Sequence, residues 1–152
     1  MSFFLKYLVY CIIFRAGVRN STAKACILHT GGGNAGDPEE LISLLEECAK
    51  LHGHSMMELD AVMTKGDVSK IKPCFWGCAF TKLGFLNNKG QYDLDAGLIS
   101  IKKYIKDPEA AEKLEQVARH CESVKDKDVS DGEAGCERGM LTVKCFVENI
   151  HI

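Results

Sequence analysis

Residues 72–83, Lys72-Pro73-Cys74-Phe75-Trp76-Gly77-Cys78-Ala79-Phe80-Thr81-Lys82-Leu83, hold two cysteines four positions apart inside a largely apolar run. The run predicts a helix from about Lys70 to Leu83. Residues i and i+4 of a helix share a face, so Cys74 and Cys78 leave it side by side. That placement is poor for bonding each other and good for reaching two different neighbours. A helix tied to two others is a central strut, and the rest of the chain is read outward from it.

Toward the N-terminus, Pro38 with Asp37 as cap opens a helix over Glu39 to Leu51, where Leu41, Leu44, Leu45 and Cys48 recur at helical spacing and Gly53 ends it. Ser55 then caps a helix over Met56 to Thr64, with Glu58 three residues on as in a capping box and Leu59, Val62 and Met63 on its apolar side. Toward the C-terminus, a turn at Asn87 to Gln91 leads to a helix over Leu94 to Ile105 with Leu94, Leu98, Ile101 and Ile105 on one stripe. Asp107-Pro108 opens a fifth helix that reaches about Cys121. The sixth is expected over Asp131 to Asn149, with Met140, Val143, Phe146, Val147 and Ile150 as its apolar positions. No alternating strand pattern interrupts this series, so the fold class is all-α.

The first 25 residues read differently. Lys6, then the apolar run Tyr7 to Phe14, then Ala23-Lys24-Ala25 have the layout of a signal peptide over residues 1–25. The apolar run is much shorter than the roughly 20 residues that span a bilayer. Its removal takes away Lys6, Arg15, Arg19 and Lys24 and leaves 15 basic against 21 acidic residues, a net charge of −6. With the acids spread along helices, this charge argues against a nucleic-acid partner. At 152 residues and 46% apolar content, the chain has material for one domain. The organisation is therefore a signal peptide at 1–25, a flexible leader at 26–37 and one helical domain at 38–152.

An extracellular, oxidising destination changes what eight cysteines mean. An even set at definite spacings then points to disulfides rather than a metal site. Cys11 leaves with the signal, and Cys26 sits at the cleavage point without an evident partner. Cys48, Cys74, Cys78, Cys121, Cys136 and Cys145 remain. Cys136 and Cys145 are nine apart, about two and a half turns, so they face opposite sides of the last helix. Helix geometry leaves several pairings of the six open.

The intervals between these six are 25, 3, 42, 14 and 8 residues. This order resembles the six-cysteine signature of the insect odorant-binding protein family, of the pheromone and general odorant-binding type. Gly53-His54-Ser55, Lys82-Leu83-Gly84-Phe85-Leu86 and Lys144-Cys145-Phe146 are similar to that family too, and the likeness covers roughly residues 38–150. The resemblance implies pairing of Cys48 with Cys78, Cys74 with Cys136 and Cys121 with Cys145. It further implies a six-helix, disulfide-bridged bundle enclosing an apolar cavity.

A carrier of small hydrophobic molecules such as odorants or pheromones, secreted and without catalysis, cofactor or metal, is what this family implies. Three bridges at about 2–4 kcal/mol each relieve a small core of close packing. Apolar walls then bind by removing ligand surface from water at about 25 cal/mol per Å², with broad selectivity. The candidate lining residues are Leu59, Met63, Phe80, Leu98, Ile101, Leu114, Val117, Met140, Val143 and Phe146, each of which also suits ordinary core packing. Met56, Met57, Met63 and Met140 are flexible enough for an adaptable pocket, and equally for filling a core. The partners expected are a small hydrophobic ligand, a membrane receptor and, for a homodimer in place of a monomer, a second copy joined through Cys26.

Other readings weigh less. Gly31 to Gly36 lacks the Gly-Lys-Ser/Thr of a phosphate loop. Asp126, Asp128, Ser130 and Glu137 mimic a calcium loop whose obligatory sixth-position glycine is here Asp131. Asn20-Ser21-Thr22 is a glycosylation sequon inside the expected signal. Trp76 suits ligand stacking, bridge covering or, most simply, a half-buried aromatic. The resemblance also implies ligand release at acidic pH, for which His52, His54, His120 and His151 are the candidate residues, though a solvated surface role is the simpler one for each. Neither a Gly-x-Ser-x-Gly elbow nor the His-Asp pair beside adjacent cysteines that a small secreted lipase or phospholipase needs is present. The competing function is a secreted scavenger or interaction module on the same scaffold.

Overall fold

A computed structural model of the chain describes residues 38–150. The expectations for the signal peptide, the leader, Cys11, Cys26, the sequon, Asp37 and His151 lie outside the described residues. Among the described residues six α-helices follow one another: α1 Pro38–His52, α2 Met56–Lys65, α3 Pro73–Lys82, α4 Leu94–Tyr104, α5 Pro108–His120 and α6 Cys136–Asn149. Short 3-10 turns occupy Val68–Lys70, Cys121–Asp126 and Gly132–Ala134. There is no strand among the described residues, only an isolated antiparallel bridge between Leu86 and Tyr92 that closes the 87–91 turn.

Local chemistry sets most helix ends. Ser55 accepts from the Glu58 backbone N–H at 3.2 Å while Glu58 accepts from the Ser55 N–H at 2.8 Å, a complete capping box at the start of α2. Asp93 accepts from Ala96 N–H at 3.0 Å to cap α4, and Asp107 caps α5 ahead of Pro108. Two starts differ from expectation. α3 begins at Pro73 rather than Lys70, because proline suits the first helical position and disfavours helical backbone in the residue before it. α6 begins at Cys136 rather than Asp131, because Gly135 stands at φ +75° and breaks the helical path. Asp131 still serves α6, its carboxylate accepting from Glu137 N–H at 3.0 Å.

The centre of the bundle is the crossing of α3 and α6. A Cβ on Gly139 would overlap the backbone of Gly77, and one on Gly77 would lie 2.7 Å from the Gly135 carbonyl oxygen. Only paired glycines allow two helices this close. Cys74 and Cys136 are bonded at the same crossing, with Cα atoms 4.1 Å apart. Cys48 joins Cys78, tying α1 to α3, and Cys121 joins Cys145, tying the 3-10 turn that follows α5 to α6. The pairs are those the resemblance implies, and the strut role of α3 follows from its bonds to α1 and α6. Tyr92 donates from its hydroxyl to the Ala118 carbonyl at 2.7 Å, which pins the 87–91 turn onto α5.

Candidate functional site

The site is built from the apolar faces of these helices. Leu59, Phe80, Ile101, Val117, Val143 and Phe146 are buried in one hydrophobic cluster, and Met63, Leu98, Leu114 and Met140 pack against it half-buried. All ten candidate positions therefore converge on one interior. Helical spacing accounts for most of this, since the stripes of α2, α4 and α6 that carry seven of the ten positions turn toward the same interior. Of Met56, Met57, Met63 and Met140, Met57 departs: it is 80% exposed on α2 and contributes nothing to the interior.

At the heart of the cluster the aromatic rings meet edge to face. Phe80 lies 5.9 Å from Phe85 and 5.5 Å from Phe146, and Phe85 lies 5.3 Å from Phe146. This is the geometry in which ring edges and faces attract. Phe85 also meets Tyr92 at 6.2 Å and rests on the backbone of α4, where a Cβ on Gly97 would overlap its ring. Phe85 and Tyr92 are interior residues that helical periodicity does not reveal, because both lie in the α3–α4 connection. The signal available for them was the aromatic character of Gly84-Phe85-Leu86 and of Tyr92 in an otherwise polar turn.

Buried hydrogen-bonding groups are few and turned inward on the protein. Trp76, Tyr92, Arg138 and Thr142 are the buried side chains of that kind among the described residues. Trp76 donates from its ring N–H to Val68 O at 3.2 Å, and Thr142 from its hydroxyl to Arg138 O at 2.8 Å. Arg138 donates through Nη1 to the carbonyls of Val124 and Lys127, closing the 121–127 turn against α6. Trp76 is therefore buried rather than half-buried, with its edge on Phe75 at 5.0 Å. Burial pushes the Tyr92 phenol above its ordinary value, and the Glu122 charge acts in the same direction, so it remains a neutral phenol.

A separate concavity of about 510 Å³ lies outside the apolar cluster, lined by Asn87, Gln91, Tyr92, Asp93, Leu94, Asp95, Glu122 and Lys125. Tyr92 is common to both, part of the buried cluster on one side and of this polar rim on the other. His120 is exposed as a solvated residue should be, whereas His54 departs from that reading. Only 9% of its side chain is exposed, Nε2 accepts from Lys72 N–H at 3.1 Å, and Nδ1 lies 3.6 Å from Glu58 Oε2. It joins the α1–α2 corner to the start of α3.

None of the described helices is long and apolar enough to cross a membrane. The family model described as PBP/GOBP family matches residues 35–149, nearly the whole helical unit just described. Comparison with curated proteins and with solved structures found no match.

Proposed function

Because this chain belongs to the PBP/GOBP family, a family of small soluble carriers rather than enzymes, we propose that it is secreted and carries a small hydrophobic molecule through aqueous fluid. The observation that supports this most is the convergence of Leu59, Met63, Phe80, Leu98, Ile101, Leu114, Val117, Met140, Val143 and Phe146 on one interior. An interior enclosed by three crosslinks keeps its walls in place when side chains shift to admit a guest, because the bonds, not the packing alone, hold the helices. Half-buried Met63 and Met140 supply walls that adjust without strain. Affinity then scales with the apolar surface removed from water, at about 25 cal/mol per Å². The ligand lies among these ten residues, and residues 1–25 are removed on export.

Displacement of an environment-sensitive apolar fluorophore from the oxidised, delipidated mature protein tests the reading. The expected result is saturable displacement at micromolar concentrations by long-chain alcohols, aldehydes, esters or aromatics, abolished on reduction. A folded, fully bridged protein that takes up neither probe nor ligand would instead be an interaction module on the same scaffold.

A further inference from the structure

Hydrogen-bond bookkeeping in the interior bears on which head group the ligand carries, an inference that rests on the carrier reading. The protons of Trp76 Nε1, Tyr92 Oη and Thr142 Oγ1 all go to backbone carbonyls of the protein itself. An indole N–H so committed has nothing further to offer. A hydroxyl whose proton is committed still presents its oxygen lone pairs, so it accepts and does not donate. Tyr92 is the one of these three that also reaches the polar concavity, with its ring against Phe85 and through Phe85 against Phe80 and Phe146.

From this arrangement we infer that Tyr92 is the polar specificity residue of the site and that it selects ligands bearing a hydrogen-bond donor, long-chain alcohols, over aldehydes and carboxylates of the same length. An alcohol O–H satisfies the Tyr92 oxygen. A carbonyl or carboxylate finds no free hydroxyl proton at Tyr92 and gains no hydrogen bond from it, so such a head group has to turn to Asn87, Gln91 or Lys125 of the concavity instead. The interior holds one counter-candidate. Arg138 Nε is buried without a partner, and a carboxylate is its natural complement. Asp131 Oδ1 is a second buried atom without a partner, so the start of α6 holds one orphan donor and one orphan acceptor.

The test measures displacement of N-phenyl-1-naphthylamine from the full oxidised protein by decanol, decanal, decanoate and a hydrocarbon of equal size, then repeats it with Tyr92→Phe. The expected result is decanol binding about five-fold more tightly than decanal, the size of one ordinary hydrogen bond, with decanoate weaker still. In Tyr92→Phe the alcohol-to-aldehyde ratio falls to about one while hydrocarbon affinity stays within about two-fold. Decanal equal to decanol in the parent overturns the inference without needing the variant. So does a preference for decanol that survives in Tyr92→Phe. Decanoate binding tightest overturns it in favour of Arg138 as the polar anchor. Displacement by none of the four overturns the carrier reading and this inference with it.

Discussion

Two helix junctions in this molecule are held in opposite ways. At the α3–α6 crossing, the backbones touch through Gly77 and Gly139 and are bonded through Cys74 and Cys136, with no side chain between them to yield. α1 is held at its surface by side chains: Lys82 reaches Glu47 at 2.6 Å, and Lys103 reaches Glu40 at 2.8 Å. Only Cys48–Cys78 ties α1 covalently to the rest of the described bundle. Exposed ion pairs contribute little, because water screens them and two long side chains must be ordered to form each one. The first junction is fixed by backbone contact, whereas the surface pairs of α1 leave its outer face to side chains that can move.

The largest effect is expected from replacing Cys74 and Cys136 together with serine. The bridge spans 62 residues, so loop entropy alone predicts a loss of about 4 kcal/mol in denaturant unfolding. The matching replacement at Cys48 and Cys78, which span 30 residues, should cost only about 0.6 kcal/mol less on the same grounds. A gap of more than about 1 kcal/mol between the two would show that the inner crossing also loses its packing, whereas equal losses would erase the contrast between the junctions. Next comes Gly139→Ala. Its new methyl group has backbone on the far side and cannot be accommodated by a rotamer change, so a loss of about 3 kcal/mol is expected in thermal or denaturant unfolding. Tolerance of alanine there would mean that the helices can separate freely.

At the outer corner the effects shrink. Ser55→Ala removes half of the capping box and should cost about 1 kcal/mol, with ligand affinity unchanged. The pH dependence of that corner has a definite sign. The Ser55 N–H holds the Glu58 carboxyl below the ordinary carboxylate range, with His54 adding to the effect. Its contribution is therefore present above the ordinary carboxylate pKa and is lost as pH falls through the lower, folded-state value. Glu58→Gln should flatten the acid limb of the stability profile, and an unchanged limb would remove the box from the account. Smallest of all is Glu40→Gln. Lys103 and the Tyr104 hydroxyl hold the Glu40 carboxyl low, but the cluster is solvent-exposed, so the melting temperature at physiological salt should not move measurably. A clear drop would make the α1 wall more firmly held than its chemistry implies.

The distinction between these junctions also explains what could be read from residues alone. Helices α1, α2, α4 and α5 start at or within one residue of their expected starts, because Pro38, Ser55, Asp93 and Asp107 act within one turn of themselves. The starts of α3 and α6 differ from the expected Lys70 and Asp131 because backbone restriction at Pro73 and Gly135 sets them. The ten interior candidates, seven of them on the helical stripes of α2, α4 and α6, share one hydrophobic cluster. Phe85 and Tyr92 escaped because a loop residue has no period to betray its direction. His54 and Trp76 were not legible because their hydrogen-bond partners, Lys72 and Val68, lie 18 and 8 residues away.

Cysteine spacing, apolar periodicity and capping residues were sufficient for the helix count, the all-α class and the family resemblance, since each acts through contacts a few residues apart or through a pattern along one line. The Gly77–Gly139 contact, the seating of Phe85 on Gly97 and the direction of the Tyr92 hydroxyl were settled only when distant segments came together. Glycine in a helical run reads as a weak helix former until a second backbone occupies the space where its side chain is missing. A tyrosine hydroxyl likewise has no fixed role until the fold supplies the carbonyl that takes its proton.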